Sequence, residues 1–481
     1  MAAKRRQRLI DRQEFGSWNT EADVVVIGLG CAGACAAIEA SDAGAKVVVV
    51  DSSGGGGTSA NSGGLIYLGG GTPVQQACGF EDSAEEMFKF LMAASQPGPC
   101  EEKIRPFCEQ SVEHFHWLEA QGVPFKRTFW EEPGMESPTD DCLVYSGGEN
   151  CHPYRDIAAP APRAHKPQAR RAAGGFFMQK MIEAVRARPL SILEDTRVGA
   201  LVTDGGAIAG VVAQSGGERM LVRARRGVVL ATGGFILNDE MVQRYAPILS
   251  RCNTKNATAG DDGSGILLGM AAGARVVRME TGEVALPTTI PNRLGRGIFV
   301  NQQGQRFINE DTYYGHIGIA TLYRQNGCAW LLLDNDTFER NFVGMQPAFV
   351  EESIADLEAA AGFPAGALQC TVDVYNRHAR NGDDPLFHKR RDMLRPITAG
   401  PFALLDSRVG SAIFATFTLG GLDTTPSGAV LDSGGGEIAG LYAAGRAAAL
   451  FCGHGYPGSG ISLADGTFFG RWAGRTAAAA S

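Results

Sequence analysis

Apolar positions in this chain fall into short unbroken runs that end on glycine, and the first run is the most informative. Asp23-Val-Val-Val-Ile27 is apolar on both faces of an extended chain, which predicts a strand buried inside a parallel sheet. Gly28-Leu-Gly-Cys-Ala-Gly33 follows at once. An Ala- and Ile-rich stretch then predicts a helix to about Gly44, and Lys46-Val-Val-Val-Val50 predicts a second strand ending on Asp51. Ser52 to Gly71 is rich in Gly and Ser and reads as a loop, and the spacing of Met87, Phe88, Leu91, Phe107, Phe115 and Leu118 predicts helix over about 82–121. Pro and Gly make 124–170 loop-rich. Alternation predicts strands at Ser191–Leu193, Val198–Thr203, Ile208–Gln214 and Met220–Arg223, and the run from Arg226 to Gly234 reads as a buried strand entering a glycine turn. Between 284 and 405 the character changes, to a hairpin (Gly297–Val300 to Arg306–Ile308 across Gly304) and then mixed helices. From Phe414 onward glycine turns and short apolar strands return, and a Gly/Ala-rich helix from about Ser462 closes the chain.

The turn after the first strand has a physical logic. Gly28 permits the tight bend, Gly30 lets a pyrophosphate approach the backbone, and Gly33 lets helix and strand pack closely. The helix N-terminus adds free N–H groups and a positive dipole for the phosphates. A GxGxxG by itself is a weak signal, since a tight turn without a ligand also needs glycines. Here a strand precedes it, a helix follows, and Asp51 stands at the end of the second strand, where a carboxylate binds a ribose hydroxyl. That carboxylate repels a 2′-phosphate, so NADP is disfavoured.

Composition narrows the classes. With 481 residues and 44% hydrophobic content the chain can bury a large core, expected over two domains. A formal net charge of −8 gives no field toward nucleic acid or acidic membranes. The basic run Lys4-Arg5-Arg6-Gln7-Arg8 is followed by no apolar stretch and is expected as a solvated arm, not a signal. No run of eighteen apolar residues occurs, so no transmembrane helix is expected. The 11 cysteines include no CxxC pair, which suits reduced thiols in a cytoplasm, and the 8 histidines show no metal-ligand spacing. The 64 glycines gather at strand-to-helix turns, as close backbone approach to a ligand requires.

Seven short segments, in order, carry a family resemblance over nearly the whole chain: Gly28–Gly33, Ala231-Thr-Gly-Gly234, Gly260-Asp-Asp-Gly263, Gln305-Arg-Phe-Ile-Asn-Glu310, Leu419-Gly-Gly-Leu422, Leu441-Tyr-Ala-Ala-Gly-Arg446 and Gly458–Leu463. On these the chain resembles the fumarate reductase/succinate dehydrogenase flavoprotein superfamily. The resemblance implies FAD and assigns it to Gly28, Gly30, Ala32, Gly33, Asp51 and Ser52. It adds Thr58, Ser59, Asn61, Gly63 and Gly64 of the loop, Thr232, Gly233, Gly234 and Asp262, and Gly445, Arg446, Ser462 and Leu463 near the C-terminus. Members with covalent flavin carry a His in the Ser52–Gly64 loop. This chain has none there, so noncovalent FAD is implied.

The reaction is decided by departures from that pattern, because the fold hosts several chemistries. Dicarboxylate reducers carry an Arg four residues after Glu310, where this chain has Tyr314. They carry a His before the T-M-G-G segment, where it has Phe417, and an Arg within 454–462, where it has none. Fumarate therefore has nothing to hold its charges. Tyr313, Tyr314, Phe417 and Tyr456-Pro-Gly-Ser459 instead resemble the 3-ketosteroid dehydrogenase branch, and Ser459 favours its members acting at C4–C5 of 5α-3-ketosteroids over those acting at C1–C2.

The implied fold is α/β: a Rossmann-like FAD domain from 1–283 and 406–481, with an inserted α+β capping domain from 284–405 over the active site. The implied chemistry removes a proton beside a ketone and a hydride from the next carbon to flavin N5. Tyr456 and the backbone at Gly460 are candidates to polarise the carbonyl, Tyr314 and Ser459 to move the proton, and Tyr313 and Phe417 to line the substrate site. Glu310 is expected to brace its loop. The substrate is expected to be an apolar ketone; the electron acceptor and oligomeric state stay open. Alternatives are a reductase of another apolar enone or enoate, a Δ1-dehydrogenase, and a flavin-carrying electron-transfer subunit, against which the two phenols argue.

Overall fold

The computed structural model describes residues 8–132, 136–287, 292–340 and 345–480. Thr20–Ile27 and Val47–Val50 lie parallel at the centre of a nine-stranded sheet, with Val24 opposite Val47 and Ile27 opposite Val50. The helix Cys31–Asp42 joins them. Val24, Val25, Val26, Val48 and Val49 are buried although they alternate in direction, because the sheet is covered on both faces. Glu218–Leu230 runs parallel to Thr20–Ile27 on its other side, and Glu437–Ala443 parallel to Glu218–Leu230. The C-terminal segment thus returns to the sheet that the first strands begin. The helix Ile461–Ala479 then lies along Cys31–Asp42. A Cβ at Gly470 would stand 2.4 Å from the Ala32 carbonyl, and one at Gly474 2.3 Å from that of Ala36, so this seam admits only glycine. Arg471, buried in it, donates to Glu39 at 2.7 Å and Glu113 at 2.9 Å.

Several expectations are corrected. Lys4 to Gln7 lie outside the described residues, but Arg8–Asp11 is a strand parallel to Thr196–Asp204, not a solvated arm. Ile10 is the anchor, buried with Val202 and Val212. The two strands expected at Met220–Arg223 and from Arg226 are one, Glu218–Leu230, with a register shift between Ala224 and Gly227. The helical span 82–121 is three helices, Ala84–Ala94, Glu101–Glu109 and Ser111–Ala120, since Pro97 and Pro99 supply no N–H to continue the first. The hairpin across Gly304 reduces to one bridge, Val300 with Arg306; Ile298–Val300 pairs instead with Trp330–Leu333. Within 124–170 the short strands Leu143–Val144 and Ala164–His165 form a small sheet with Ile66–Tyr67.

Residues 298–406 hold a four-stranded antiparallel sheet with its own apolar cluster, including Leu332, Leu357, Leu368 and Leu404. Gly282–Ala285, at the expected boundary, belongs elsewhere: it pairs antiparallel with Ala415–Thr418 and sets Glu283 opposite Phe417. Among the described residues no helix is long and apolar enough to cross a membrane.

Candidate active site

A cavity of about 1250 Å³ runs from the Gly28 turn to a cluster of aromatic side chains. It exceeds the ~300–1,000 Å³ usual for one small ligand, which leaves room for a large cofactor beside a substrate. All the expected cofactor and substrate residues line it except Gly33 and Gly234. Gly33 serves packing, since a Cβ there would meet the Gly28 carbonyl at 1.8 Å, and Gly234 offers its N–H to Asp261 at 2.6 Å.

The first end is built by the strand–turn–helix unit. Gly28 sits at φ +100°, where a Cβ would strike the Ala231 carbonyl at 2.4 Å, so the turn closes only with glycine. Gly30 caps the helix Cys31–Asp42 without a side chain, and Ser59 Oγ accepts the Cys31 N–H at 3.2 Å. Asp51 takes the Leu29 N–H at 2.7 Å and the Ser53 N–H at 2.8 Å, which fixes its carboxylate at the cavity wall. The loop Ser52–Gly64 contains one helical turn, Gly57–Ala60, which places Thr58, Ser59 and Asn61 on the lining.

Sequence reasoning missed the hub of the middle section. Asp262 lines the cavity, but its oxygens serve Ser264 N–H at 2.9 Å and Arg197 at 3.3 Å. Its neighbour Asp261, 1% exposed, collects the Gly234 N–H, the Thr58 hydroxyl and Arg446 at 3.0 Å. Three expected binding segments thus meet on one carboxylate. The doubled Asp-Asp was visible in the sequence, but which of the two turns inward depends on the register of the turn entering Ser264–Ala271. Thr232 Oγ1 and Arg446 Nη1 are buried at the cavity and have no protein partner, as groups awaiting a polar ligand do.

At the far end, Tyr313, Tyr314, Phe417 and Tyr456 converge. Phe417 and Tyr456 meet edge to face at 5.5 Å between centroids, and Tyr313 and Tyr314 lie 4.4 Å apart. The Tyr314 hydroxyl hydrogen-bonds Ser459 Oγ. The Tyr456 hydroxyl accepts the Ser462 N–H at 2.9 Å, in the first turn of Ile461–Ala479. Ser459 therefore contributes its side chain and Ser462 its backbone. Gly460 caps that helix at φ +101°. Burial pushes the Tyr314 and Tyr456 hydroxyls above the usual phenol range, so they stay protonated and act as donors. Arg446 reaches this cluster, 5.2 Å over the Phe417 ring, and Asp261 holds it.

Glu283 is the second residue the sequence did not single out. It lines the cavity at 2% exposure, accepts the Tyr313 hydroxyl at 2.8 Å, and leaves Oε2 without a partner. Burial pushes it up to about 8. Glu310 does brace its loop, through Arg306 at 2.6 Å and Lys389 at 3.3 Å. His454, half-exposed, pairs with Glu280 at 3.2 Å and does not line the cavity.

Comparison with known proteins places the fold in a family. A solved structure of 3-ketosteroid-Δ4-(5α)-dehydrogenase from Rhodococcus jostii RHA1, in complex with 4-androstene-3,17-dione, superposes with a TM-score of 0.94 at 47% identity, covering 98% of this chain and 99% of that one. The 3-oxo-5-alpha-steroid 4-dehydrogenase of Comamonas testosteroni is 30% identical over 89% of this chain and 93% of its own length. A cytochrome-type fumarate reductase of Shewanella frigidimarina is 28% identical over 95% of this chain and 77% of its own. The FAD binding domain family matches residues 23–463. The glycine turn, the carboxylate at Asp51 and the unpartnered Thr232 and Arg446 fit a dinucleotide with a pyrophosphate, and the chain belongs to the FAD-binding-domain family, with FAD as its cofactor.

Proposed function

We propose that the chain is an FAD-dependent dehydrogenase of 3-ketosteroids that introduces the C4–C5 double bond into the 5α series. The observation that carries this reading is the pair of hydroxyl systems at the aromatic end, Tyr314 with Ser459 and Tyr456 with the Ser462 N–H, set in apolar walls. Each has a task. Because Tyr456 receives a hydrogen bond from the backbone, its own proton is free for the C3 carbonyl oxygen, and the donated bond polarises it. We assign the Gly460 N–H as the second donor. Charge develops on that oxygen in the transition state, where one preorganised donor is worth ~2.7–4 kcal/mol. Polarisation acidifies the C4–H, and Ser459, bonded to Tyr314, receives that proton. FAD, when bound, accepts the hydride that leaves C5. Gly28, Gly30, Asp51, Thr232 and Arg446 would hold it, with Asp261 positioning Arg446 and Thr58.

Substrate affinity comes from Ala285, Pro287, Ile413, Ala415 and Phe417 on the cavity wall. At ~0.8 kcal/mol per buried CH₂, a steroid skeleton needs no salt bridge. Fumarate would find its carboxylates facing Phe417 and Tyr314. Segment 284–405 acts as the cap that excludes water, and the reaction takes place in the cytoplasm, where the 11 free cysteines stay reduced. The test is a substrate panel with the purified, FAD-loaded chain and an artificial acceptor. A 5α-3-ketosteroid is expected to turn over, while its 3-hydroxy analogue, with nothing to acidify C4–H, and fumarate with a reduced viologen are not. Robust fumarate reduction with no ketosteroid activity overturns the reading.

A further inference from the structure

Neither Ser459 nor the buried phenols can keep a proton taken from carbon: each is a neutral hydroxyl that already carries its own proton, so one received must be passed on. The proton needs a terminus, and the cavity offers one. We propose that Glu283 is that terminus, a positioning residue that acts through Tyr313 and sets where the substrate's α-proton goes. This rests on the dehydrogenase reading above and extends it to a residue with no place in the hydroxyl pair.

Four observations support it. Glu283 Oε1 accepts the Tyr313 hydroxyl at 2.8 Å, and Oε2 is buried with no partner, so one oxygen is free to take a proton. Tyr313 packs against Tyr314, ring centroids 4.4 Å apart, and the Tyr314 hydroxyl is bonded to Ser459, so the Tyr313–Glu283 pair lies directly beside the hydroxyl pair. The carboxylate is let in by a glycine: a Cβ at Gly315 would stand 2.4 Å from Glu283 Oε1 and 2.3 Å from the Tyr313 ring. No lysine or arginine among the described residues pairs with Glu283, whereas Glu39 and Glu310, also buried, are each paired with arginine.

The groups facing it are all neutral acids or apolar. Tyr313 and Tyr314 come from the start of the helix Tyr314–Ile319, Tyr456 and Cys452 from the C-terminal segment, and Phe417 lies across the ladder. His316, on the same helix, is pushed down to about 4 by burial and stays uncharged. Desolvation, only partly offset by hydrogen bonds from Tyr313 and the Val284 backbone, is why the carboxyl titrates near 8, where it exchanges a proton within the working pH range.

The transfer balances. The C4–H bond breaks and an O–H forms on Ser459. Ser459 passes a proton to Tyr313, directly or by way of Tyr314, as the Tyr313 O–H breaks and an O–H forms on Glu283. Every hydroxyl ends as it began, and Glu283 changes from carboxylate to carboxylic acid. The C4–H electron pair becomes the second bond of C4=C5, and the C5 hydride carries its own pair to the FAD of the holoenzyme. The base form of Glu283 is required, so the rate must rise with pH through about 8 and level above it.

The experiment uses the FAD-loaded enzyme and two readouts. Anaerobic single-turnover oxidation of a 5α-3-ketosteroid is followed against pH for wild type, Glu283→Gln, Glu283→Asp and Tyr313→Phe. Infrared difference spectra of wild type and Glu283→Gln, without substrate, follow the carboxylic-acid C=O band over the same range. Wild type is expected to lose that band as pH rises through about 8, with Glu283→Gln showing no such change. Glu283→Gln and Tyr313→Phe are expected to lose the pH step and at least ~10-fold in rate at high pH, the low end of a general-base contribution, with KM little changed. Glu283→Asp is expected to restore part of the step. Should Glu283→Gln fail to fold, Tyr313→Phe still decides, since it must lose the rate step yet keep the infrared titration. Turnover with an unchanged step in both variants, or no carboxyl titration in wild type, overturns the proposal alone. No ketosteroid oxidation at any pH overturns the dehydrogenase reading and this with it.

Discussion

Replacing Tyr456 by Phe removes one hydroxyl and little else. The ring is 3% exposed and packed edge to face on Phe417 at 5.5 Å, contacts that phenylalanine keeps. Two losses follow. The Ser462 N–H, which Tyr456 accepts at 2.9 Å, is left without its partner in the first helical turn. An unsatisfied buried donor costs about 1–3 kcal/mol, visible as a lowered thermal midpoint. The second loss is catalytic: without the phenol proton the developing oxyanion at C3 lacks one donor, ~2.7–4 kcal/mol, or ~10²–10³-fold in kcat. Since the charge exists only in the transition state, kcat should fall while KM changes little. Anaerobic stopped-flow with a 5α-3-ketosteroid measures both, and flavin content and the thermal midpoint report that the holoenzyme remains folded. A variant that retains wild-type kcat, or loses only in KM, would refute the polarising role and leave Tyr456 as a packing residue.

Asp51→Ala should strip a buried acceptor from the Leu29 N–H and a ligand from the dinucleotide, so FAD should wash out on dilution faster than from wild type; full occupancy would remove Asp51 from the cofactor site. Acid or heat should release all the yellow colour as free FAD, because no histidine among the described residues lines the cavity; colour left on the precipitated polypeptide would contradict this. Glu283 also carries a stability prediction. Its carboxyl is raised from 4.5 to about 8 in the folded chain, so the folded state binds the extra proton and its advantage is lost as pH rises from 4.5 through 8. Glu283→Gln should therefore gain stability over wild type across that window, by up to ~1.4 kcal/mol per pH unit; equal thermal midpoints at pH 5 and pH 8 would contradict the burial argument.

How much of this was legible in the sequence follows from how local each signal is. The unit from Thr20 to Val50 was readable because burial on both faces, the glycine turn and the helix are each encoded within a few residues. Tyr314, Phe417, Tyr456 and Ser459 were found through resemblance, and the structure brings them together from segments far apart in the chain. Asp261 and Glu283 were not found. Asp261 differs from Asp262 only in which way a turn faces, and Glu283 is a polar residue in a short strand whose partner, Ala415–Thr418, lies well over a hundred residues away. The hairpin at Gly304 failed for the same reason: Ile298–Val300 prefers Trp330–Leu333, a longer apolar partner that local alternation cannot reveal.

The most direct measurement is to mix the oxidised holoenzyme anaerobically with a saturated 5α-3-ketosteroid and identify the product by mass and NMR while following the flavin absorbance. Bleaching with formation of one 4-ene-3-ketone per bound FAD is the expected result. An unbleached flavin, or a double bond at C1–C2 instead of C4–C5, would contradict it.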